Sequence, residues 1–277
     1  MQFIEQFRSA RVAGTFYPDN PRVIQKMFHQ WDANAHPAPN TGKLRALIAP
    51  HAGYIYSGPI AHSGYHLIRQ GEFDTVVLIG PSHFDGFEGV SVYPGQGYST
   101  PLGDISINTK MVEVLTGSNL VEASKLGHGQ EHGLEVQLPF LQYFLGNEFQ
   151  LVPLVMGEQT LSLAQQLAEI LKPLINERVL LVASSDLSHY HAYQNANVLD
   201  QKFTTVLTTG DTSRLWEGIR TREFEACGYG PVMTILEVTA DLPGKREICI
   251  LDRRNSGDTA GDRNQVVGYL SAGIFVH

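Results

Sequence analysis

The sequence predicts an α/β fold, a single domain with a central mixed, largely parallel sheet flanked by helices. Two observations carry this prediction. Short apolar runs bounded by turn-forming residues are typical of buried strands, and segments with helical spacing of apolar residues lie between them. Strands that alternate with helices favour a sheet covered on both faces. No long linker, low-complexity tract or repeat divides the 277 residues, so we interpret residues 1–277 as one domain.

The individual elements follow from these patterns. The apolar runs predict strands at residues 44–49, 75–79, 150–155 and 178–183, and one long strand or a strand pair at 266–276. Helical spacing predicts helices at residues 21–31, 59–69, 134–145, 161–171, 198–207 and 232–238. Pro21 after Asp19 and Asn20 is typical of a capped helix start, whereas Pro139 indicates a boundary or kink. The Gly-, Tyr- and Pro-rich stretch 84–101 is interpreted as an ordered excursion near the sheet edge.

Composition argues against several classes of protein. The net charge is -8 and no basic stripe is present, which argues against nucleic-acid binding. No apolar run approaches the length of a membrane span, and Glu5 interrupts any signal-peptide core. Two cysteines in a chain of this size are typical of reduced thiols, so we expect a cytoplasmic protein. Phosphate-loop, nucleophile-elbow and paired-cysteine zinc motifs are absent from the sequence.

Histidines follow three of the predicted strands. His51 comes directly after the strand 44–49 and its Pro50, and His83 lies just beyond the strand 75–79. The strand 178–183 leads to Asp186 and His189. Because ligands of such sheets bind outside the carboxyl ends of the strands, we expect these side chains to share one crevice. Their convergence predicts a metal-binding site.

Two further segments add candidates. Glu131 and His132 precede the helix predicted at 134–145, and Cys227 stands in a Gly- and Pro-containing turn ahead of the last predicted helix. A thiol near a helix N-terminus is favoured as a ligand or nucleophile, although a lone Cys is more often a small buried apolar residue. Tyr54, close to His51, is interpreted as a pocket wall. We expect five other histidines to be solvated, and His62 and His128 stay open; the five are His29, His36, His66, His191 and His277.

Taken together, several segments resemble the Memo family, whose bacterial and archaeal members are named AmmeMemoRadiSam system protein B. The resemblance runs from residue 11 to the C-terminal strand, with the segments in the family's order. The matching segments are residues 11–18, 50–58, 80–83, 100–103, 131–140, 184–189, 227–228, 256–258 and 266–269. Gly133 stands where the family pattern has Ser.

The resemblance implies both a fold and a site. The Memo family is similar in fold to the class III extradiol dioxygenases, non-haem iron enzymes that open catechol rings. By that likeness, His51, His83 and Cys227 bind one metal ion, with the Cys near the place of the dioxygenase carboxylate ligand. His189 then acts as the acid/base residue, assisted by Asp186 and His132. Tyr54, Ser82 and Glu131 are assigned to the substrate pocket.

Three functions remain open on the sequence alone. The first is a redox metalloenzyme with iron(II) or copper, because a thiolate ligand is soft. The second is a zinc-type hydrolase that uses the same ligands and a metal-bound water. The third is a non-catalytic binding or scaffold protein that retains the pocket. In each case we expect a small-molecule or peptide ligand and no contact with nucleic acid or a membrane.

Overall fold

The structure, a computed structural model, describes residues 6–33 and 42–277. Within these ranges the strands are Phe7–Arg8 (β1), Lys43–Ala49 (β2), Thr75–Pro81 (β3), Val90–Val92 (β4), Gly97–Thr100 (β5), Gly103–Ser106 (β6), Val121–Ala123 (β7), Gln150–Met156 (β8), Val179–Ser184 (β9), His189–His191 (β10), Arg246–Asn255 (β11) and Val266–Val276 (β12). The α-helices of the same ranges are Pro21–Asp32 (α1), Tyr54–Tyr65 (α2), Thr109–Thr116 (α3), Leu138–Leu145 (α4), Leu161–Leu171 (α5), Tyr193–Leu207 (α6), Thr212–Arg220 (α7), Tyr229–Ala240 (α8) and Ser256–Thr259 (α9). His36 lies outside the described residues.

The centre of the fold is a nine-stranded mixed sheet. Its order is β10-β12-β2-β9-β3-β8-β4-β7, and β11 also pairs with β12. The four inner strands β2, β9, β3 and β8 are parallel, while β12 joins β2 and β4 joins β8 in antiparallel pairing. Three short strands form a second sheet, in the order β1-β5-β6. The predicted fold class is therefore confirmed.

The inner strands are buried on both faces, which explains their nearly continuous apolar sequence. Ala46, Ile48 and Val77 pack in one hydrophobic cluster with residues of α5 to α8. Leu47 and Val76, pointing the other way, pack with residues of α1, α2 and α4. Because helices cover both faces, the functional groups lie at the ends of the strands.

Most predicted elements coincide with observed ones, but α2 does not begin where the sequence indicates. The helix starts at Tyr54, so Pro59 lies inside it and removes one backbone hydrogen bond. Burial of the α2 face against the sheet outweighs that loss. Gly58 permits the close packing of α2 against Trp31, because a side chain at this position would clash with the Trp31 ring. The stretch 84–101 contains β4 and β5. No helix in the described ranges is long and apolar enough to cross a bilayer.

A buried ion pair fixes the loop that precedes α4. Arg8 Nη1 lies 2.6 Å from Glu135 Oε2, and both side chains are excluded from solvent. Arg8 also donates from Nη2 to the carbonyl of Glu131 at 2.7 Å and from Nε to the carbonyl of His128. Glu135 in turn accepts from the hydroxyl of Tyr17. One arginine therefore holds the backbone that carries Glu131 and its neighbour His132.

Replacement of Arg8 by Met should lower the free energy of unfolding by about 3–5 kcal/mol, because it leaves the Glu135 carboxylate buried without its cation. Urea denaturation measures this change. Arg178→Met is the matched control: Arg178 pairs with Asp74 at 3.0 Å, but both side chains are more than half exposed, so the loss should stay below about 1 kcal/mol. Equal losses in the two variants would contradict a structural role for the Arg8 pair.

Candidate metal centre

Three parallel strands end at the same level and deliver their following residues to one place. Ala49 of β2 pairs in register with Ser184 of β9, and Ile79 of β3 pairs with Ala183 of β9. His51, His83 and Asp186 come two to four residues after these paired positions. The ring centroids of His51 and His83 lie 5.0 Å apart. His51 and His83, which follow different strands, therefore lie side by side.

His132 completes a group of three imidazoles. One ring nitrogen from each of His51, His83 and His132 lies within 4.8 Å of the other two. Nitrogen atoms bound to one zinc ion at about 2.0–2.1 Å are within about 4 Å of each other. Small side-chain movements would therefore bring all three onto one ion. His51 is buried and His83 is partly exposed, so the group is open to solvent on the His83 side.

Glu131 orients His83 from behind. Its Oε1 atom accepts from Nδ1 of His83 at 2.8 Å, and Oε2 accepts from the His83 backbone N–H at 2.7 Å. The backbone N–H groups of His132 and Gly133 donate to the same carboxylate. Because the carboxylate accepts the Nδ1 proton, Nε2 of neutral His83 keeps its lone pair for a metal ion. Carboxylate–histidine pairs of this kind are typical of metal sites.

The protonation of this pair follows from its surroundings. Burial raises the pKa of Glu131, but the hydrogen bonds and charge of His83 and the backbone N–H bonds outweigh it and lower the pKa to about 2. Burial lowers the pKa of His83, but the hydrogen bond and charge of Glu131 outweigh it, so the net pKa is raised. Glu131 is therefore ionised at neutral pH.

A serine hydroxyl sets the tautomer of His51. Ser184 Oγ donates its only proton to the carbonyl of Gly133 at 2.5 Å and accepts from Gln137 Nε2 at 2.8 Å. The remaining contact, 2.9 Å to His51 Nδ1, must therefore be donated by the imidazole. Burial is the largest cause that lowers the pKa of His51, to about 3, so the ring is neutral and Nε2 carries a lone pair.

Gln137 locks this serine in place. Its Nε2 group also donates to the carbonyl of Pro50 at 2.9 Å, and its Oε1 accepts from the hydroxyl of Tyr65 at 2.9 Å. Because the Pro50 carbonyl can only accept, it requires the amide orientation in which Nε2 faces Pro50 and Ser184. The hydrogen bonds that fix His51 thus extend to Tyr65 at the end of α2.

Cys227 lies against the free nitrogen of His51. Its Sγ is 3.1 Å from His51 Nε2 and accepts from the backbone N–H of Asp186 at 3.1 Å. Burial, followed by the charge of Asp186, raises the pKa of the thiol. Without a metal the thiol therefore keeps its proton and donates it to Nε2. Cys227 is not a member of the three-nitrogen group, in which His132 stands as the third donor.

Asp186 and His189 occupy the same edge of the sheet. Asp186 Oδ1 accepts from the backbone N–H of His51 at 2.8 Å, and burial raises the pKa of its carboxyl. His189 begins β10, where its backbone N–H donates to Glu225 at 3.3 Å. Its charge affects the pKa of both His51 and Asp186, so the imidazole lies within electrostatic reach of each.

The two remaining pocket candidates make structural contacts. Tyr54 is only 2% exposed, and its hydroxyl donates to the carbonyl of Val136 at 2.7 Å, so it presents no surface to a ligand. Ser82 Oγ donates to the carbonyl of Asp85 within a turn. Two phenylalanines that the sequence patterns do not predict as site residues lie beside His132. Phe16 and Phe84 have ring centroids 4.7 Å and 6.1 Å from that of His132, and Phe84 directly follows His83.

A family model described as Memo-like protein matches residues 8–273. The chain belongs to the Memo family. Relatives named as MEMO1 family proteins include one from Sulfolobus acidocaldarius, 36% identical over 279 residues that cover 95% of this chain and 98% of the relative. Another, from Ignicoccus hospitalis, is 38% identical, and the aligned region covers 95% of this chain and 97% of the relative. The predicted membership is confirmed.

A solved structure shares the fold at much lower identity. It is an uncharacterized protein from Escherichia coli K12, with a TM-score of 0.53 and 15% identity. The match covers 83% of this chain and 99% of that protein. At this identity the likeness concerns the fold of this chain and carries no conclusion about its chemistry.

For this protein without bound metal, we expect the free energy of unfolding to fall as the pH falls below about 6.5. Burial lowers the folded-state pKa of His51 to about 3 and of His132 to about 4, whereas the unfolded chain binds these protons near pH 6.5. Their stabilising contribution is fully present above pH 6.5 and is lost towards pH 3. Each histidine adds at most about 1.4 kcal/mol per pH unit.

His51→Asn should therefore reduce the pH dependence of stability by about one such increment, measured by urea unfolding between pH 7.5 and 4.5. His277→Asn is the control, because His277 is exposed and pairs only with Glu247 in the described structure. An unchanged slope in His51→Asn would show that His51 has the same pKa in the folded and the unfolded chain and would contradict the effect of burial.

Proposed function

We propose that this chain is a metal-dependent redox enzyme that holds one iron(II) or copper ion through His51, His83 and Cys227. The contact that carries the proposal is the 3.1 Å distance between Cys227 Sγ and His51 Nε2. The Ser184 network leaves that nitrogen with a lone pair, and a metal ion would replace the thiol proton between the two atoms. One sulfur with imidazoles is a donor set that suits copper and iron.

The surrounding residues fit this use. His83 faces the group with a free Nε2, since its Nδ1 is held by Glu131, and His132 can occupy a further ligand position. When bound, such a metal supplies redox chemistry and open positions for oxygen or a substrate. Phe16 and Phe84 flank His132 and provide apolar contact area for a small-molecule or peptide ligand.

Proton transfer is assigned to His189, with Asp186 behind it. Asp186 is buried, and its Oδ1 atom accepts a hydrogen bond from the backbone N–H of His51. The Asp186 carboxyl group is therefore fixed next to the proposed metal ligand His51. His189 is half-buried and lies within electrostatic reach of Asp186. We propose that the His189 imidazole exchanges a proton with the bound ligand, while the Asp186 carboxyl stabilises the protonated ring.

A specific observation favours a second candidate, a zinc-type hydrolase. The three nitrogen atoms within 4.8 Å belong to His51, His83 and His132, and three histidines with an open fourth position are a known donor set of catalytic zinc. In that case Cys227 would lie beside the ion without binding it. The two candidates therefore differ in the third ligand.

Metal analysis of protein purified anaerobically and without chelator separates them. The redox proposal predicts about one equivalent of iron or copper, and Cys227→Ser should lower the affinity at least about tenfold because a soft ligand is lost. Cys249→Ser is the matched control, since Cys249 lies in β11 and contacts Glu247. Zinc as the retained metal, lost in His132→Ala but kept in Cys227→Ser, would favour the hydrolase. A chain that retains none of these metals would contradict both candidates.

His189→Ala should keep the metal content of the wild type but lower turnover by about 10²- to 10⁴-fold, the usual contribution of an acid/base residue. Oxygen uptake with a panel of catechols measures turnover. His191→Ala is the matched control on the same strand, because His191 pairs with Glu225 at 3.0 Å. Equal uptake by His189→Ala and wild type would remove His189 from the mechanism.

A further inference from the structure

A second group of titratable side chains surrounds Asp32 at the end of α1. Asp32 Oδ1 lies 3.0 Å from Nε2 of His62 and 3.8 Å from Nδ1 of His66. Asp32 Oδ2 lies 3.8 Å from Nδ1 of His29. We call these residues, together with Tyr143, the Asp32 cluster. Three imidazoles thus converge on one carboxylate, away from the strand ends that carry the candidate metal centre.

Helix periodicity and a third helix build the cluster. His29 and Asp32 are three residues apart on α1, while His62 and His66 are four residues apart at the end of α2, so each pair shares one helix face. Tyr143 of α4 donates from its hydroxyl to Asp32 Oδ2 at 2.5 Å, and the Tyr143 hydroxyl oxygen lies 2.7 Å from Nδ1 of His29. The cluster therefore joins α1, α2 and α4.

The charges of the cluster are those of a cation site. Among the described residues, the ion pairs of Asp32 are all with imidazoles, and none is with Lys or Arg. Burial is the largest cause that lowers the pKa of His62, although the charge of Asp32 opposes it. The His62 ring is packed against Trp31 and Phe144. The carboxylate of Asp32 thus lies beside a buried imidazole, His62, whose neutral form is favoured by burial.

We propose that the Asp32 cluster binds a divalent transition-metal ion of the zinc class through His62, His66 and Asp32, with His29 as a further ligand. Imidazole nitrogen and carboxylate oxygen are the donors such ions take. Atoms that share one ion at about 2.0–2.2 Å lie about 3–4 Å apart, as His62 and His66 do from Asp32 Oδ1. His66 and His29 have side chains that are 34% and 72% exposed, so they can rotate onto an ion that enters from solvent.

Such an ion would link α1 and α2, which otherwise meet through hydrogen bonds and aromatic packing. His62 is the fixed ligand, since it is buried, and the two exposed histidines close the site around it. The cluster is looser than the group at the strand ends, whose nitrogen atoms already lie within 4.8 Å. We therefore expect the Asp32 cluster to bind its ion more weakly than that group and to release it first to a chelator.

Zinc stoichiometry of the chelator-treated full chain tests this assignment by equilibrium dialysis and elemental analysis. We expect two ions per wild-type chain, one in His66→Ala, one in His83→Ala and none in the double variant. Asp32→Asn should also lose one ion, which covers the case in which His66 alone is dispensable. His277→Ala is the control, because it removes a single exposed imidazole that pairs with Glu247 at 3.0 Å. Circular dichroism checks that each variant folds.

The outcomes for the two sites are independent. If the strand-end histidines bind no zinc, the wild type should hold one ion that persists in His83→Ala and disappears in His66→Ala. Saturating zinc should raise the melting temperature of His83→Ala but not of His83→Ala/His66→Ala. If His66→Ala and Asp32→Asn hold as many ions as the wild type, or if the only ion is lost with His83, the Asp32 cluster is not a metal site.

Discussion

The parallel pairing of β2, β9 and β3 decides where the functional groups of this chain lie. Because the three strands run in the same direction and end in register, the residues that follow them meet at one edge of the sheet. His51, His83 and Asp186 are brought together in this way from distant parts of the sequence. Helices on both faces leave this edge as the place where polar groups reach solvent.

The loop before α4 reaches the same edge by different physics. Glu131 and His132 follow no strand, and the buried Arg8 side chain holds their backbone through carbonyl contacts. Glu131 then fixes His83, while Ser184 and Gln137 fix His51. His51 and His83 therefore each have a hydrogen-bond partner on Nδ1, and Nε2 of each is left for a ligand. Hydrogen bonds within the protein thus orient the His51 and His83 rings independently of a metal ion.

Sequence patterns predict those parts of the candidate metal centre that depend on residues adjacent in the sequence. Strand runs and the residues after them are visible as apolar stretches followed by His, so His51 and His83 could be predicted. The contact of Cys227 with His51 depends on where the turn before α8 lies relative to β9, which no local pattern encodes. Proximity to His51 in the sequence favours a pocket wall at Tyr54, but α2 begins at this residue and its ring packs in the core. The four-residue spacing of His62 and His66 is visible in the sequence. Their contact with Asp32 cannot be predicted in this way, because Asp32 belongs to another helix.

Strand β12 pairs with β2 as well as with β10 and β11. β2 and β12 are more than 200 residues apart in sequence. During synthesis, the edge of β2 that pairs with β12 therefore stays open until residues 266–276 have been made. Pairings of such long sequence separation form slowly, and an open apolar edge invites association with other chains. During synthesis, the β12-facing edge of β2 therefore stays unpaired longer than it would in a sheet closed by strands that are neighbours in sequence.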